Sequence, residues 1–200
     1  MNIVQAKFVT SVADHKLCRD YGIAEIAVAG KSNVGKSSVI NMLCNMHRLA
    51  KTSSTPGRTR LINYFSVNND AYMLVDLPGY GFAKVSDAEK EKWATLIEGY
   101  LQNSKQLRCV LVLVDIRHEP STLDRQMVAY LHHYGLPFLV VATKSDKLSR
   151  AQQEKQRGIL AKSLALGKDN IILTSAQTKQ GREKLMAAIG RFVSDNITIE

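Results

Sequence analysis

Short, almost wholly apolar runs alternate along this chain with longer stretches in which apolar residues recur every three or four positions. Ile23 to Ala29, Cys109 to Val114 and Phe138 to Ala142 are apolar runs of strand length. Strands buried on both faces read in this way. Leu61 to Val67, Tyr72 to Asp76 and the short Ile171 to Leu173 supply three more strands, and Phe8 to Val12 reads as a strand or an entry segment. Asn68-Asn69-Asp70 is a turn signal that predicts a hairpin between two of them. Helices are expected over Ser37 to Leu49, Asp87 to Gln102, Ser121 to Tyr134, Ser149 to Leu166 and Arg182 to Val193. In the second of these, Trp93, Ile97 and Leu101 fall at helical spacing behind the cap-like Asp87. Lys51 to Arg60, containing Pro56-Gly57, reads as a polar loop. Strands alternating with helices predict an α/β fold. The expected architecture is a mostly parallel central sheet with one antiparallel hairpin strand and helices on both faces. No internal repeat, low-complexity tract or linker interrupts it. A single domain over residues 23–195 is expected, with an N-terminal extension (1–22) packed on it and a C-terminal tail (196–200).

Composition changes this picture in two ways. The chain has 200 residues, 45% apolar and 22% charged, enough for one well-buried core. No apolar run is long enough to span a bilayer. Met1 to Asp14 lacks the basic start and apolar middle of a signal peptide, so the cytoplasm is the expected compartment. Cys18, Cys44 and Cys109 are odd in number and far apart, which argues against a disulfide framework or zinc site. The formal net charge of +9 and pI near 9.5 favour polyanionic partners, nucleic acid first among them. A purely solubilising charge is the alternative.

The candidate chemistry begins at Gly30-Lys31-Ser32-Asn33-Val34-Gly35-Lys36-Ser37, which fits GxxxxGK[ST] between a predicted strand and a predicted helix. Glycines allow backbone N–H groups to line an anion site, and the helix start adds unpaired N–H groups and positive dipole. Lys36 is expected to reach the β- and γ-phosphates and Ser37 to ligate Mg²⁺, with Ser38 completing the loop.

Four more segments lie at strand ends, where open α/β sheets bind ligands. Asp76-Leu77-Pro78-Gly79 offers a carboxylate for Mg²⁺, directly or through water, and the Gly79 N–H for a γ-phosphate. Turn residues alone would also explain it. Thr59 can complete the Mg²⁺ shell, and the contacting set around it runs through Gly57, Arg58, Arg60 and Leu61. Thr143-Lys144-Ser145-Asp146 is similar to the guanine-reading NKxD, with Thr143 in place of Asn. Asp146 can accept from guanine N1–H and the exocyclic amine, donors that adenine lacks there. Thr174-Ser175-Ala176 can present backbone to guanine O6.

Together these motifs resemble a translation-factor-related GTPase, and within that class the EngB (YihA-type) family of bacterial ribosome-assembly GTPases. The resemblance covers nearly the whole chain. It rests on Glu25-Ile26-Ala27, Gly30 to Ser38, Thr55-Pro56-Gly57-Arg58-Thr59, Asp76 to Gly81, Lys92-Trp93, Asp115-Ile116-Arg117-His118 and Thr143 to Ser149. Thr143 is usual in that family, whereas Lys31 stands where Arg is common. The resemblance implies a single phosphate-loop GTPase domain that binds GTP and GDP with Mg²⁺. It also implies a part in large ribosomal subunit assembly, with a precursor particle, rRNA or ribosomal proteins as partners, and only an indirect link to septum formation. A monomer is expected.

Within this reading Lys36, Thr59 and Gly79 are the catalytic candidates. Tyr80 follows the DxxG glycine where Ras-type enzymes carry a water-orienting Gln, so slow intrinsic hydrolysis is expected. Asn33 stands at the position of the potassium-coordinating Asn of cation-activated GTPases, with a turn-capping role equally open. Arg58, Arg60, Lys84, Lys90 and Lys92 are candidates for an RNA-facing cluster, each also readable as a solvated surface charge. Phe65, Phe82, Trp93 and Tyr100 read as core residues rather than a base-stacking platform. Two other functions stay open: a nucleotide-gated interaction module with negligible turnover, and a phosphate-loop kinase of a small metabolite. Asp146 and the absence of an arginine-rich lid disfavour the kinase.

Overall fold

The computed structural model describes residues 3–46, 48–50, 61–81 and 87–194, without the side chains of 87–90 and Trp93. The predicted strands appear as β1 (Ala6–Val12), β2 (Glu25–Gly30), β3 (Ile62–Val67), β4 (Tyr72–Asp76), β5 (Leu107–Asp115), β6 (Phe138–Thr143) and β7 (Ile171–Leu173). The helices are α1 (Lys36–Cys44), α2 (Asp87–Asn103), α3 (Thr122–His133), α4 (Arg150–Ser163) and α5 (Arg182–Ser194).

The strands form one sheet in the order β1-β3-β4-β2-β5-β6-β7. β3 is antiparallel to both neighbours, while the other pairings are parallel. One strand therefore runs against six, and it belongs to the hairpin turned by Asn68, Asn69 and Asp70, all at positive φ. After glycine, Asn and Asp tolerate that left-handed geometry best.

Both faces of the sheet are covered, which is why its central strands read as unbroken apolar runs. Successive side chains of β2 point to opposite faces. Ile26 and Val28 pack with Val39, Ile40 and Leu43 of α1 and Leu185 and Ile189 of α5. Ala27 and Ala29 pack with Leu96, Ile97 and Tyr100 of α2, Val128 and Leu131 of α3, and Leu160 of α4. Phe65 and Tyr100 are buried core residues, as expected. Phe82 and the Trp93 side chain lie outside the described residues. Cys44 and Cys109 are free and buried, and burial pushes both thiols up to about 12.

α1 ends at Cys44, five residues before the predicted Leu49. Asn45 adopts φ 52, and its N–H returns to Asn41 and Met42 carbonyls. A left-handed residue of this kind closes a helix. Arg182 donates to the carbonyls of Met42 (2.9 Å) and Leu43 (2.8 Å), covering acceptors the helix end leaves open. The Asn41 amide then pins Ala50 through both its N–H and its carbonyl. Three 3₁₀ turns, His15–Leu17, Ser145–Lys147 and Lys168–Asn170, have no counterpart in the sequence expectations. α3 and α4 begin one residue later than predicted because Ser121 and Ser149 are their N-caps, each in a capping box.

Gly181 fixes the start of α5 beside β7. Its φ is +75°, and a Cβ there would run into the Leu173 backbone carbonyl. Gly181→Ala should therefore cost about 2–4 kcal/mol, from left-handed strain plus a clash with backbone that cannot rotate away. Urea unfolding of the two proteins checks this.

Candidate functional site

The loop after β2 is a tight turn in which the carbonyls of Gly30, Lys31, Asn33 and Val34 meet donors. A Cβ at Gly30 would lie 2.9 Å from both the Leu113 carbonyl and Val34 Cγ1, so only glycine fits. Gly35 has φ 109 and Asn33 has φ 63. The Val34 N–H bonds the Lys31 carbonyl at 3.1 Å. The Lys144 ammonium donates to the Asn33 carbonyl at 3.0 Å. The Thr143 hydroxyl is shared between the carbonyls of Val34 (2.8 Å) and Val114 (3.1 Å). α1 then opens at Lys36 with no side-chain cap bond. Its first-turn N–H groups and positive dipole end face the concavity, an arrangement suited to an anion. Asn33's place in this turn accounts for its residue type without a cation.

Asp76 ends β4 alongside the loop. It is 3% exposed, and Oδ1 has no hydrogen-bond partner among the described residues. Burial pushes its carboxyl up to about 6, against the pull of Lys36 and Asn63. Lys36 is partly exposed as a residue, but its ammonium is crowded, and burial lowers its pKa against the pull of Asp76. A buried carboxylate oxygen without a partner is costly. Beside a desolvated ammonium, it fits the demands of an oxygen-loving divalent cation such as Mg²⁺. Leu77 and Pro78 are buried. A Cβ on Gly79 would lie 2.9 Å from Lys36 Nζ and 3.3 Å from Ser32 N, so the backbone here approaches the loop closely. Leu61 is partly buried at the foot of β3. Gly57, Arg58, Thr59, Arg60 and Lys84 lie outside the described residues, as does the Lys90 side chain. Lys92 is exposed.

On the other side of the loop is a cavity of about 480 Å³. Gly35 and Ser38 line it from one side, and Thr143, Lys144, Asp146 and Ala176 from the other. Its size is that of ordinary small-molecule sites. Asp146 sits in the 3₁₀ turn after β6, where Oδ1 accepts from the Ser175 hydroxyl at 2.7 Å and Oδ2 pairs with Lys147 at 3.1 Å. The Ser175 hydroxyl first, and then Lys147, hold its carboxyl below the usual range. Thr174 and Ser175 are fully buried, and the Ser145 N–H bonds the Thr174 carbonyl at 3.0 Å. The loops after β6 and β7 are thereby one body.

Several contributors were not legible as such in the sequence. Gln153 and Gln180 bond each other at 3.0 Å. Gln153 also donates to the Ser145 carbonyl, and Gln180 accepts from the Ser145 hydroxyl. No spacing rule reveals that network. Asp115, at the end of β5, accepts from Arg117 Nε (2.9 Å) and Nη2 (2.8 Å) and from the Lys144 ammonium (2.9 Å). Despite partial burial, those cations hold its carboxyl far below the usual range. Tyr80 donates its phenol to Asp124 at 2.9 Å. The pattern Ser121-x-x-Asp124 ahead of a helix is a readable capping signal, but nothing in it points to Tyr80.

Comparison with known proteins agrees with this geometry. A family model described as 50S ribosome-binding GTPase matches residues 25–144. A protein of Desulforamulus reducens, named as a probable GTP-binding protein EngB, is 48% identical over 194 residues, spanning 96% of this chain and 95% of its own. A counterpart of the same name from Pelotomaculum thermopropionicum is 47% identical, spanning 96% and 98%. The crystal structure of a probable GTP-binding protein engB superposes with a TM-score of 0.71 at 24% identity. That alignment covers 85% of this chain and 98% of the other, a likeness of fold.

The Asp115 cluster yields a pH prediction. Its carboxyl has a lower pKa folded than unfolded, so its stabilisation is complete above about pH 4, the unfolded value, and fades as pH falls through the folded one. Asp115→Asn should lose about 1–3 kcal/mol near neutrality by leaving two charged donors without a carboxylate. In denaturant titrations the difference from the unmodified protein should shrink below about pH 4.

Proposed function

The chain belongs to the EngB family of GTP-binding proteins, and from that premise we propose that it is a nucleotide-dependent switch, with slow GTP hydrolysis, in large ribosomal subunit assembly. The observation that carries the nucleotide reading is the placement of two complementary half-sites around one loop. On one side, Lys36 and the orphaned Asp76 Oδ1 face the anion-ready helix start. On the other, Asp146 is held ionised at the cavity by Ser175.

In this proposal the residues from Gly30 to Ser38 bind the phosphates, with Lys36 neutralising charge and the N–H groups of α1's first turn donating to the anion. Thr143, Lys144, Ser145 and Asp146, with Thr174, Ser175 and Ala176, hold the guanine. Asp146 is the selective element, since an adenine would leave its carboxylate unpaired. Ser37, Thr59 and Asp76 would hold Mg²⁺, which when bound neutralises charge between the β- and γ-phosphates. Gly57, Arg58, Arg60 and Leu61, with Leu77, Pro78 and Gly79, complete the contacting set. The working unit is residues 23–195, with 1–22 packed on it, acting as a cytoplasmic monomer. Net charge of +9 suits a partner rich in rRNA phosphate.

Slow turnover is supported by Tyr80, whose phenol is committed to Asp124 rather than free to orient a water. The same observation favours a second reading, a nucleotide-gated interaction module with negligible turnover. Single-turnover hydrolysis on the isolated protein and with large subunits separates the two.

Asp146→Asn should weaken GTP and GDP binding by a hundredfold or more, roughly the discrimination that a buried polar reader provides, while leaving the fold intact by circular dichroism. Titration with a fluorescent guanine nucleotide checks it, and unchanged affinity removes Asp146 as the base reader. Cosedimentation with large ribosomal subunits, comparing GDP with a non-hydrolysable GTP analogue across salt concentrations, tests the partner. GTP-selective, salt-sensitive binding is expected, and nucleotide-independent binding would reject the switch.

A further inference from the structure

The segment that follows Asp76 is fastened at its root to two other parts of the molecule. Beside the phosphate loop, the Ser32 N–H donates to the Tyr80 carbonyl at 2.9 Å and the Tyr80 N–H to the Gly30 carbonyl at 3.3 Å. Lys31 and Tyr80 thus form a short parallel bridge outside the main sheet. On its far side, the Tyr80 phenol donates to Asp124 Oδ1 at 2.9 Å. Asp124 is 6% exposed, and its Oδ2 accepts from both the N–H (2.8 Å) and the hydroxyl (2.7 Å) of Ser121. The next residue, Gly81, has φ +78°, and a Cβ on it would touch Leu123 Cδ1 and Lys31 Cγ, each at 3.2 Å. The segment from Gly79 to Gly81 is therefore wedged between the phosphate loop and the first turn of α3, and the phenol is its one side-chain bond to α3.

We infer that Asp124 is a positioning residue of the nucleotide site, acting through Tyr80 to hold the Gly79 backbone against the phosphate loop. This rests on the GTP reading above, and it gives Tyr80 a role distinct from orienting water. The chemistry is directional. A carboxylate already bonded on one oxygen by the α3 cap presents the other, fixed in place, as a strong acceptor. A phenol donating to it cannot swing toward the phosphates. Gly79 sits 3.3 Å or less, by its would-be Cβ, from Ser32 N and Lys36 Nζ, so a slack root at Tyr80 moves the N–H that a third phosphate would meet. A nucleoside diphosphate has no group there. The effect must then appear in the preference for triphosphate over diphosphate, not in affinity for both.

The test is a set of four proteins, Tyr80→Phe, Asp124→Ala, their double variant and Ser121→Ala, compared with the unmodified chain. Ser121→Ala removes the cap hydroxyl but keeps the backbone N–H that holds Asp124 Oδ2 and leaves the phenol bond, so it reports the cost of a damaged helix start. Affinities for GDP and a non-hydrolysable GTP analogue are measured by fluorescence titration, and amide exchange is followed at Ser32. Tyr80→Phe and Asp124→Ala should each reduce the GTP-over-GDP preference about tenfold, the scale of one charge-assisted hydrogen bond. The double variant should lose no more than either single one, and Ser32 exchange should quicken in all three. Ser121→Ala should lower the melting temperature without moving the preference. Unchanged preference in Tyr80→Phe, or an equal loss in Ser121→Ala, overturns the proposal. An unmodified protein that binds neither nucleotide rejects the underlying GTP reading, and this inference with it.

Discussion

A loop that turns its N–H groups inward must turn its carbonyls outward, and buried carbonyls need donors. That constraint organises the nucleotide side of this molecule. Three carbonyls of the phosphate loop are met by donors from beyond β4 and from the end of β6. Gly30 is met by Tyr80 from beyond β4. Asn33 is met by Lys144 and Val34 by Thr143, both from the end of β6. The motifs that surround the loop therefore hold its shape. Thr143 shows why an NKxD-like motif accepts threonine here: one hydroxyl on a short, stiff side chain reaches the loop carbonyl while its own backbone continues the strand.

The sheet and its helices were legible because β2, β5 and β6 are apolar on both faces and the helices carry their seams at regular spacing. What sequence periodicity could not show was the end of α1. Residues 45–49 keep a helix-compatible composition, and the helix stops because Asn45 goes left-handed and Arg182, remote in sequence, takes the last carbonyls. Long-range partners decided that boundary, and local patterning does not see them. The site divides in the same way. Lys36, Asp76 and Asp146 announce themselves by spacing. Asp115, Asp124, Gln153 and Gln180 act through partners distant in the chain, and only the fold brings them together.

The carboxylates around the site differ in both their partners and their burial. Asp115 lies among three cationic nitrogens and stays ionised. Asp146 is drawn down chiefly by a hydroxyl. Asp76 faces one ammonium from within a nearly closed site and is drawn up. Hydrogen bonds and cations to the charged form lower a carboxyl's pKa, and desolvation raises it. The first two are structurally complete as they stand, one as a brace for Lys144 and the other as a presented acceptor. Asp76 is not complete, because its free oxygen has no protein donor among the described residues.

That contrast bears on what Tyr80 offers where Ras-type enzymes carry a water-orienting Gln. A carboxylate left short of partners stores an electrostatic demand that a cation can meet, whereas a side chain already bonded has nothing further to offer a reacting water. Tyr80 belongs to the second kind, since its only polar atom beyond the backbone is spent on Asp124. What this segment still presents toward the loop is backbone, at Gly79, where no side chain would fit without displacing Lys36 or Ser32. Preorganised backbone dipoles and a fixed cation stabilise charge on phosphate oxygens. They do not by themselves take a proton or aim a water.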